Sequence, residues 1–213
     1  MMPSLRFAPV AALLLLAGCT AIGGPKTEVS IYAPESRIQA DPAWPTVDWQ
    51  LTIGTPDTHA LLDSQRIAVR PTPDRLQTYK GARWADTAPE MVQLALVEAF
   101  EDSGRIQAVS RWGAGRGDFG LYTDLRAFET IYEGGTPKVV IEIQARLVKH
   151  RGSGGLVAAR RFRTEVAPSG AEIEPVVAAF GEALASINAD IVGWSLVEGA
   201  RAISESGEES AGK

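Results

Sequence analysis

The one side chain whose position suggests covalent chemistry is Cys19, the only cysteine among the 213 residues of the chain. It directly follows Leu16, Ala17 and Gly18. Small residues before a cleaved bond let the backbone enter a narrow protease groove, and a thiolate is the soft nucleophile that forms a thioether. The spacing therefore indicates cleavage before Cys19 and modification of its sulfur. The alternative is an incidental thiol at the end of an ordinary signal peptide.

Residues 1–18 have the three zones of a secretory signal peptide, with Arg6 as the positive start, an apolar run and small residues at the end. The apolar run is shorter than the ~20 residues that a membrane-spanning helix needs. Its junction with Cys19 resembles the lipobox of bacterial lipoproteins, in which the thiol is joined to diacylglycerol and the new amine is acylated. The resemblance implies lipidation at Cys19. Because Thr20 rather than Asp follows, it also implies passage to the outer membrane, facing the periplasm.

No other residues have the spacing of a catalytic or metal site. The two histidines, His59 and His150, are far apart in the sequence, and no second cysteine accompanies them. Ser153 lies between glycines but lacks the Gly-x-Ser-x-Gly spacing of a nucleophile elbow, which favours a hairpin turn. Spacing does not test carboxylate pairs that folding brings together. The sequence predicts no enzyme, no cofactor and no metal site.

A basic run stands out in a chain whose net charge is −5. Arg160, Arg161 and Arg163 follow Lys149 and Arg151, and the two groups belong to neighbouring predicted strands. One interpretation is a positive patch that contacts an acidic partner or anionic lipid headgroups, which makes the three arginines candidate partner-binding residues. The alternative is a solvated sheet edge protected by charge. The overall negative charge disfavours nucleic acid as a partner.

The composition, 45% hydrophobic and 22% charged, is that of an ordinary globular domain. Hydrophobic periodicity of two predicts strands, and periodicity of three to four predicts helices. The predicted order is strands at 47–53, 66–70 and 75–80, a helix at 88–103, strands at 105–112, 119–132, 138–150 and 156–166, and a last helix after residue 172. Short glycine-rich joins favour hairpins. We predict an α+β fold with a mainly antiparallel sheet and two amphipathic helices packed on one face.

Four segments follow from this pattern. Residues 1–18 are the signal peptide, and residues 19–46 are a lipidated N-terminus and linker with a candidate edge strand at 27–33. Residues 47–203 form a single α+β domain. The polar residues 204–213 are predicted to be a disordered tail.

The order and spacing of several motifs resemble one family. The motifs are Asp63-x-x-Arg-Ile-Ala-Val-Arg70, Leu76-x-x-Tyr79-x-x-x-x-Trp84-Ala85 before the Pro89 helix, Asp124-Leu-Arg-Ala-Phe128-Glu129, the strand from Val139 to Leu147, and a last helix ending in Trp194. Together they resemble the ABC-type transport auxiliary lipoprotein family, the group that includes the PqiC lipoproteins. The resemblance covers residues 28–196.

The resemblance implies a non-enzymatic outer-membrane lipoprotein. Its role would be that of an auxiliary or docking subunit of an ABC lipid-transport system whose substrate-binding proteins are of the mammalian-cell-entry (MCE) type. An MCE-domain protein is the implied partner, and phospholipid and a second copy of the chain are further candidates. Tyr79 and Trp84 are candidate contact residues because aromatics just before a helix often stay half exposed; core packing is the alternative. An alternative function is an assembly lipoprotein that plugs or chaperones an outer-membrane barrel.

Overall fold

Eight strands form one sheet, against which two helices pack. The computed structural model describes residues 28–111, 113, 117–151 and 154–211, with side chains to residue 206. The elements are β1 (Ser30–Tyr32), β2 (Val47–Ile53), β3 (Arg66–Thr72), β4 (Arg75–Trp84), α1 (Ala88–Ser103), β5 (Ile106–Arg111), β6 (Phe119–Glu133), β7 (Thr136–Lys149), β8 (Gly155–Val166) and α2 (Ile173–Ala211).

The long strand β6 is the centre of the sheet. Along one edge it pairs antiparallel with the whole of β7, which in turn pairs antiparallel with β8. Along the other edge it pairs in parallel with residues 51–53 of β2 and residues 68–70 of β3, and an isolated bridge joins Asp57 to Asp124 between them. β4 pairs antiparallel with β3, while β1 is parallel to β4 and β5 is parallel to β2.

The sheet is therefore mixed, and the prediction of a mainly antiparallel sheet is wrong. The expected hairpin between β5 and β6 does not form, because both strands run parallel to β2, which lies between them. Alternating apolar residues indicate which face of a strand is buried. They do not specify which strand pairs with it or in which direction that strand runs. A short link can join β5 to β6 across β2, because β5 ends opposite Ile53 of β2 and β6 begins opposite Leu51, only two residues away. The hairpins β6–β7 and β7–β8 are confirmed.

The boundaries of α1 are those that the sequence predicts. Thr87 is the N-terminal cap with an extended backbone, and Pro89 lies in the first turn, where a missing N–H costs no hydrogen bond. Gly104 ends the helix in the left-handed conformation (φ 61°), which glycine adopts without strain, and its N–H binds the Glu101 carbonyl.

The inner face of the sheet and the apolar stripe of α2 form the core. Residues 139, 141, 143, 145 and 147 of β7, predicted to face inward, are fully buried. Phe180, Leu184, Ile187 and Ile191 of α2 recur at steps of three and four and are also buried, as the periodicity predicts. Both helices belong to this one hydrophobic cluster.

The helix α2 is longer than expected. It continues to Ala211, so residues 204–211 are helical where the sequence predicts a disordered tail. The helix Ile173–Ser206 is long enough to cross a membrane and contains an 18-residue window with a mean hydropathy of 1.4, but 61% of that window is buried inside the protein. This burial identifies α2 as the core helix of the folded domain.

Candidate functional site

The segment that connects β1 to β2, residues 33–46, runs across α2, and we call it the crossing segment. The carbonyl of Glu35 lies directly over Gly181, where any Cβ would collide with it. Further along, Trp44 Nε1 is 2.5 Å from the position that a Cβ at Gly193 would take. Gly181 and Gly193 therefore leave the space on α2 that the crossing segment occupies. Helix propensity alone would disfavour them by about 1 kcal/mol each relative to alanine.

Two hydrogen bonds hold the start of the crossing segment. The Tyr32 hydroxyl donates to Glu174 Oε1 at 3.0 Å, which joins the end of β1 to the first turn of α2. This bond to a carboxylate raises the pKa of Tyr32. The Ala85 N–H donates to the Tyr32 carbonyl at 2.8 Å, just beyond the end of β4. The start of the crossing segment is thus attached both to the sheet and to the core helix.

A groove lies on each side of residues 33–37. The first, of about 560 Å³, separates these residues from α1, and we call it the acidic groove. Its lining includes Met91, Leu94 and Leu184. The second, of about 600 Å³, lies against the start of α2 and is lined in part by Val177 and Glu182.

Carboxylates dominate the rim of the acidic groove. Glu98, Glu101 and Asp102 line it from α1, and Glu35 lines it from the crossing segment. The three α1 carboxylates lie in the last two turns of the helix, at the negative end of its dipole, and no basic residue occupies the last turn. Arg37 is the one cationic residue in the lining. The sequence analysis missed this groove; exposed Leu94 among the polar positions of α1 was the available signal.

The two aromatic candidates have different environments. Trp84 is fully buried and packs edge-on against Phe128 and Phe180, with ring centroids 5.7 and 5.0 Å away. Its side chain belongs to the core, which is the alternative that the sequence left open. Tyr79 is half buried, and that burial raises its pKa, an effect partly offset by the nearby Thr130 hydroxyl. Its exposed part leaves it as a candidate contact.

Ion pairs engage two of the three candidate arginines of β8. Arg163 contacts Glu142 at 3.0 Å and Glu165 at 2.7 Å, and Arg161 approaches Glu142 at 3.6 Å. The hydrogen bond with Glu165 raises the pKa of Arg163, and the same bond lowers the pKa of Glu165. Much of the positive charge expected on this strand is therefore compensated by carboxylates within the sheet.

The remaining basic residues point in different directions. Arg160 lies with its guanidinium carbon 5.0 Å from the centre of the Phe162 ring, a cation–π arrangement. Lys149 donates to the Ala202 carbonyl of α2, at 3.4 Å, and Arg151 pairs with Asp118 at 3.1 Å. Lys149, Arg151 and Arg160 thus each contact a different part of the fold, and the role of the β8 arginines in binding a partner stays a prediction.

Some of the sequence predictions concern residues that the structure does not describe, and others concern the possible metal ligands. Cys19 and the signal peptide lie outside the described residues, as does Ser153. In the part of the chain that the structure describes, no group of three or more His, Cys, Asp or Glu side chains is arranged to hold a metal ion. His150 contacts the Tyr122 hydroxyl at 3.3 Å, while His59 is exposed.

Comparison with known proteins places these features in context. The family model described as "ABC-type transport auxiliary lipoprotein component" matches residues 30–192. The chain is also 31% identical over 176 residues to an uncharacterized protein of Bradyrhizobium diazoefficiens, covering 82% of this chain and 47% of that protein. It thus spans about half the length of that relative.

Solved structures share the fold. A crystal structure of a Xanthomonas campestris protein, ascribed to family DUF330, is 42% identical, with a TM-score of 0.79 over 83% of this chain and 99% of that one. A hypothetical protein from Chlamydia trachomatis is only 5% identical, and its TM-score of 0.51 over 70% of this chain shows a common fold alone.

Proposed function

Because the chain belongs to the ABC-type transport auxiliary lipoprotein family, we propose that it is a non-enzymatic docking subunit of an MCE-type ABC system that transports lipid between membranes. The match from residue 30 to residue 192 carries the proposal, since it extends from β1 into α2 and so includes nearly the whole folded domain. An auxiliary subunit of this kind positions a partner and makes or breaks no bond.

The proposed location is the outer membrane, facing the periplasm. Membership of a lipoprotein family places the chain in the cell envelope, and the lipobox-like junction supports an anchor at Cys19. Between Cys19 and Ser30 the chain can span at most about 40 Å when fully extended. The folded domain therefore stays close to the bilayer, where tethering raises its local concentration for a partner and offsets a modest intrinsic affinity.

The test is recovery of the partner from cell envelopes. The tagged full chain is purified after crosslinking in intact cells, and the captured proteins are identified by mass spectrometry. We expect an MCE-domain protein together with its ABC ATPase and permease. A Cys19→Ser variant, which lacks the proposed anchor, serves as the matched control, and its recovery of the same proteins should fall sharply.

Two results would contradict the proposal. Capture of an outer-membrane barrel protein without an MCE protein would instead support the alternative role in barrel assembly. Full biological activity of the unacylated Cys19→Ser protein would show that anchoring is dispensable, against a role that depends on position.

A further inference from the structure

We propose that the acidic groove, between α1 and residues 33–37, binds a basic amphipathic segment of a partner protein. The proposal goes beyond the transport role, because it concerns one surface and the chemistry of its occupant. It rests on three properties of the groove: an apolar row with exposed Leu94 at its centre, a set of carboxylates without ion pairs that continues this row, and the length over which the two extend.

The apolar row lies on one face of α1. Leu94 is 48% exposed in the middle of this face, next to half-buried Met91 and nearly buried Ala95. Leu184 of α2 closes the bottom of the groove and is 1% exposed. Contact between Leu94 and water is unfavourable, and complete burial of a leucine side chain contributes about 1.5–3 kcal/mol of favourable free energy. An occupant with its own apolar side chains gains from this contact.

The carboxylates continue the row toward the end of α1. Glu98, Glu101 and Asp102 follow Leu94 on the same side of the helix and line the groove. None of the three enters an ion pair with any residue that the structure describes. They repel one another and oppose the negative end of the helix dipole, so a positively charged occupant would relieve both effects. With Glu35, the lining holds four carboxylates against the single cation Arg37, so an occupant that is basic as well as apolar fits the groove.

The dimensions favour a peptide segment. Met91 and Asp102 lie eleven residues apart on α1, which corresponds to about 17 Å at 1.5 Å per residue. A small cation would reach the carboxylates and leave Leu94 exposed. A basic amphipathic segment spans both parts, with apolar side chains against Met91 and Leu94 and cationic side chains against the acidic end, which is the mode of helix-in-groove recognition.

A second copy of the chain fits less well. Its net charge is −5, and many of its basic side chains are already engaged in ion pairs within the fold. These are Arg70, Arg111, Lys138, Arg146, Arg151, Arg161, Arg163 and Arg201. Using them to fill the groove of a neighbour would break existing pairs, so a foreign basic segment is the better match.

The test measures binding of a synthetic Leu/Lys peptide whose leucines recur at helical spacing. The full acylated chain is held in phosphatidylcholine nanodiscs, empty nanodiscs provide the background, and fluorescence anisotropy gives the dissociation constant. The test variant is Glu98→Gln/Glu101→Gln/Asp102→Asn. The matched control is Asp63→Asn/Asp74→Asn/Glu172→Gln, which removes three exposed charges elsewhere. The test variant neutralises charges at the negative helix end, which favours the helix, so the variant is expected to fold.

We expect the test variant to weaken peptide binding about tenfold, equivalent to about 1.4 kcal/mol, and the control variant to leave it unchanged. Leu94→Ser should also weaken binding, and a peptide with Glu in place of Lys should not bind. Equal weakening by the two triple variants would reduce the effect to net charge and overturn the proposal.

Two further outcomes would assign the groove to another occupant. Self-association that is lost in the test variant, without any peptide binding, would assign it to a second copy. Peptide binding that occurs only after residues 20–27 are replaced by a neutral linker would assign it to the chain's own N-terminal segment. The assay contains no transporter, so either result leaves the proposed transport role standing.

Discussion

The main chain of Glu35 crosses α2 directly over Gly181, so closely that a Cβ at this position would overlap the Glu35 carbonyl. The crossing segment and the core helix therefore pack backbone against backbone. This contact fixes the position of residues 33–37, which form one wall of each of the two grooves. A glycine in the helix interior thus determines where the candidate binding surface lies.

Gly181→Ala should destabilise the protein even though alanine is the better helix former. Added volume at a closely packed site costs about 1–3 kcal/mol, which exceeds the gain in helix propensity. We expect a net loss of about 1–2 kcal/mol in the free energy of unfolding, measured by urea denaturation. Gly170→Ala is the control, since a Cβ there meets only Pro175 at an ordinary distance of 3.5 Å. Equal effects of the two changes would contradict the close packing at Gly181.

Trp84→Ala should unfold the protein at a markedly lower urea concentration. The indole is fully buried between Phe128 and Phe180, and truncating such a side chain typically costs about 3–5 kcal/mol. Leu156→Ala, at a position that is 63% exposed, should change stability by no more than about 0.5 kcal/mol. A stable Trp84→Ala protein that fails to capture its partner would instead indicate a contact role for this residue.

Glu165→Gln should make the protein less stable at neutral pH but not in acid. Arg163 lowers the pKa of Glu165, so this carboxylate stabilises the fold above its unfolded pKa and loses that contribution as the pH falls through the folded pKa. The pair is largely exposed, so we expect about 0.2–1 kcal/mol at pH 7. Thermal unfolding at several pH values would reveal a difference that disappears in acid.

The control for this pH dependence is Asp48→Asn. Asp48 is exposed on β2, away from both helix ends, and is absent from the ion pairs of the described part of the chain. Its replacement should leave stability the same across the pH range. A parallel pH dependence in both variants would point to net charge rather than to the pair of Glu165 with Arg163.

Cys19→Ser should abolish lipidation of the protein. Without a thiol no thioether to diacylglycerol forms, and radiolabelled fatty acid should be absent from the purified variant. Thr20→Asp is the matched comparison, because it keeps the thiol and introduces the inner-membrane retention signal of enteric bacteria. We expect this variant to remain lipidated and to move to the inner-membrane fraction in a density gradient. Incorporation of labelled fatty acid into the Cys19→Ser variant would refute the anchor.

Local patterns predicted the individual elements with good accuracy. The helix α1 ends at Gly104 because glycine accepts the left-handed conformation there, and the alternation in β7 identified its buried face. The arginines of β8 could not be interpreted in the same way. Their partners, among them Glu142 of β7, depend on the register between two strands, which the side chains of a single strand do not specify.

The sequence by itself predicted a secretory signal, and it determined the family and the type and boundaries of most elements. These depend on short-range properties: the order of apolar and small residues before Cys19, hydrophobic periodicity, and capping by residues such as Gly104. Only the tertiary structure decided that β2 lies between β5 and β6, that Trp84 is core, and that an acidic groove opens beside residues 33–37. Each of these results joins segments that are distant in the chain, and their contacts follow from packing the whole molecule.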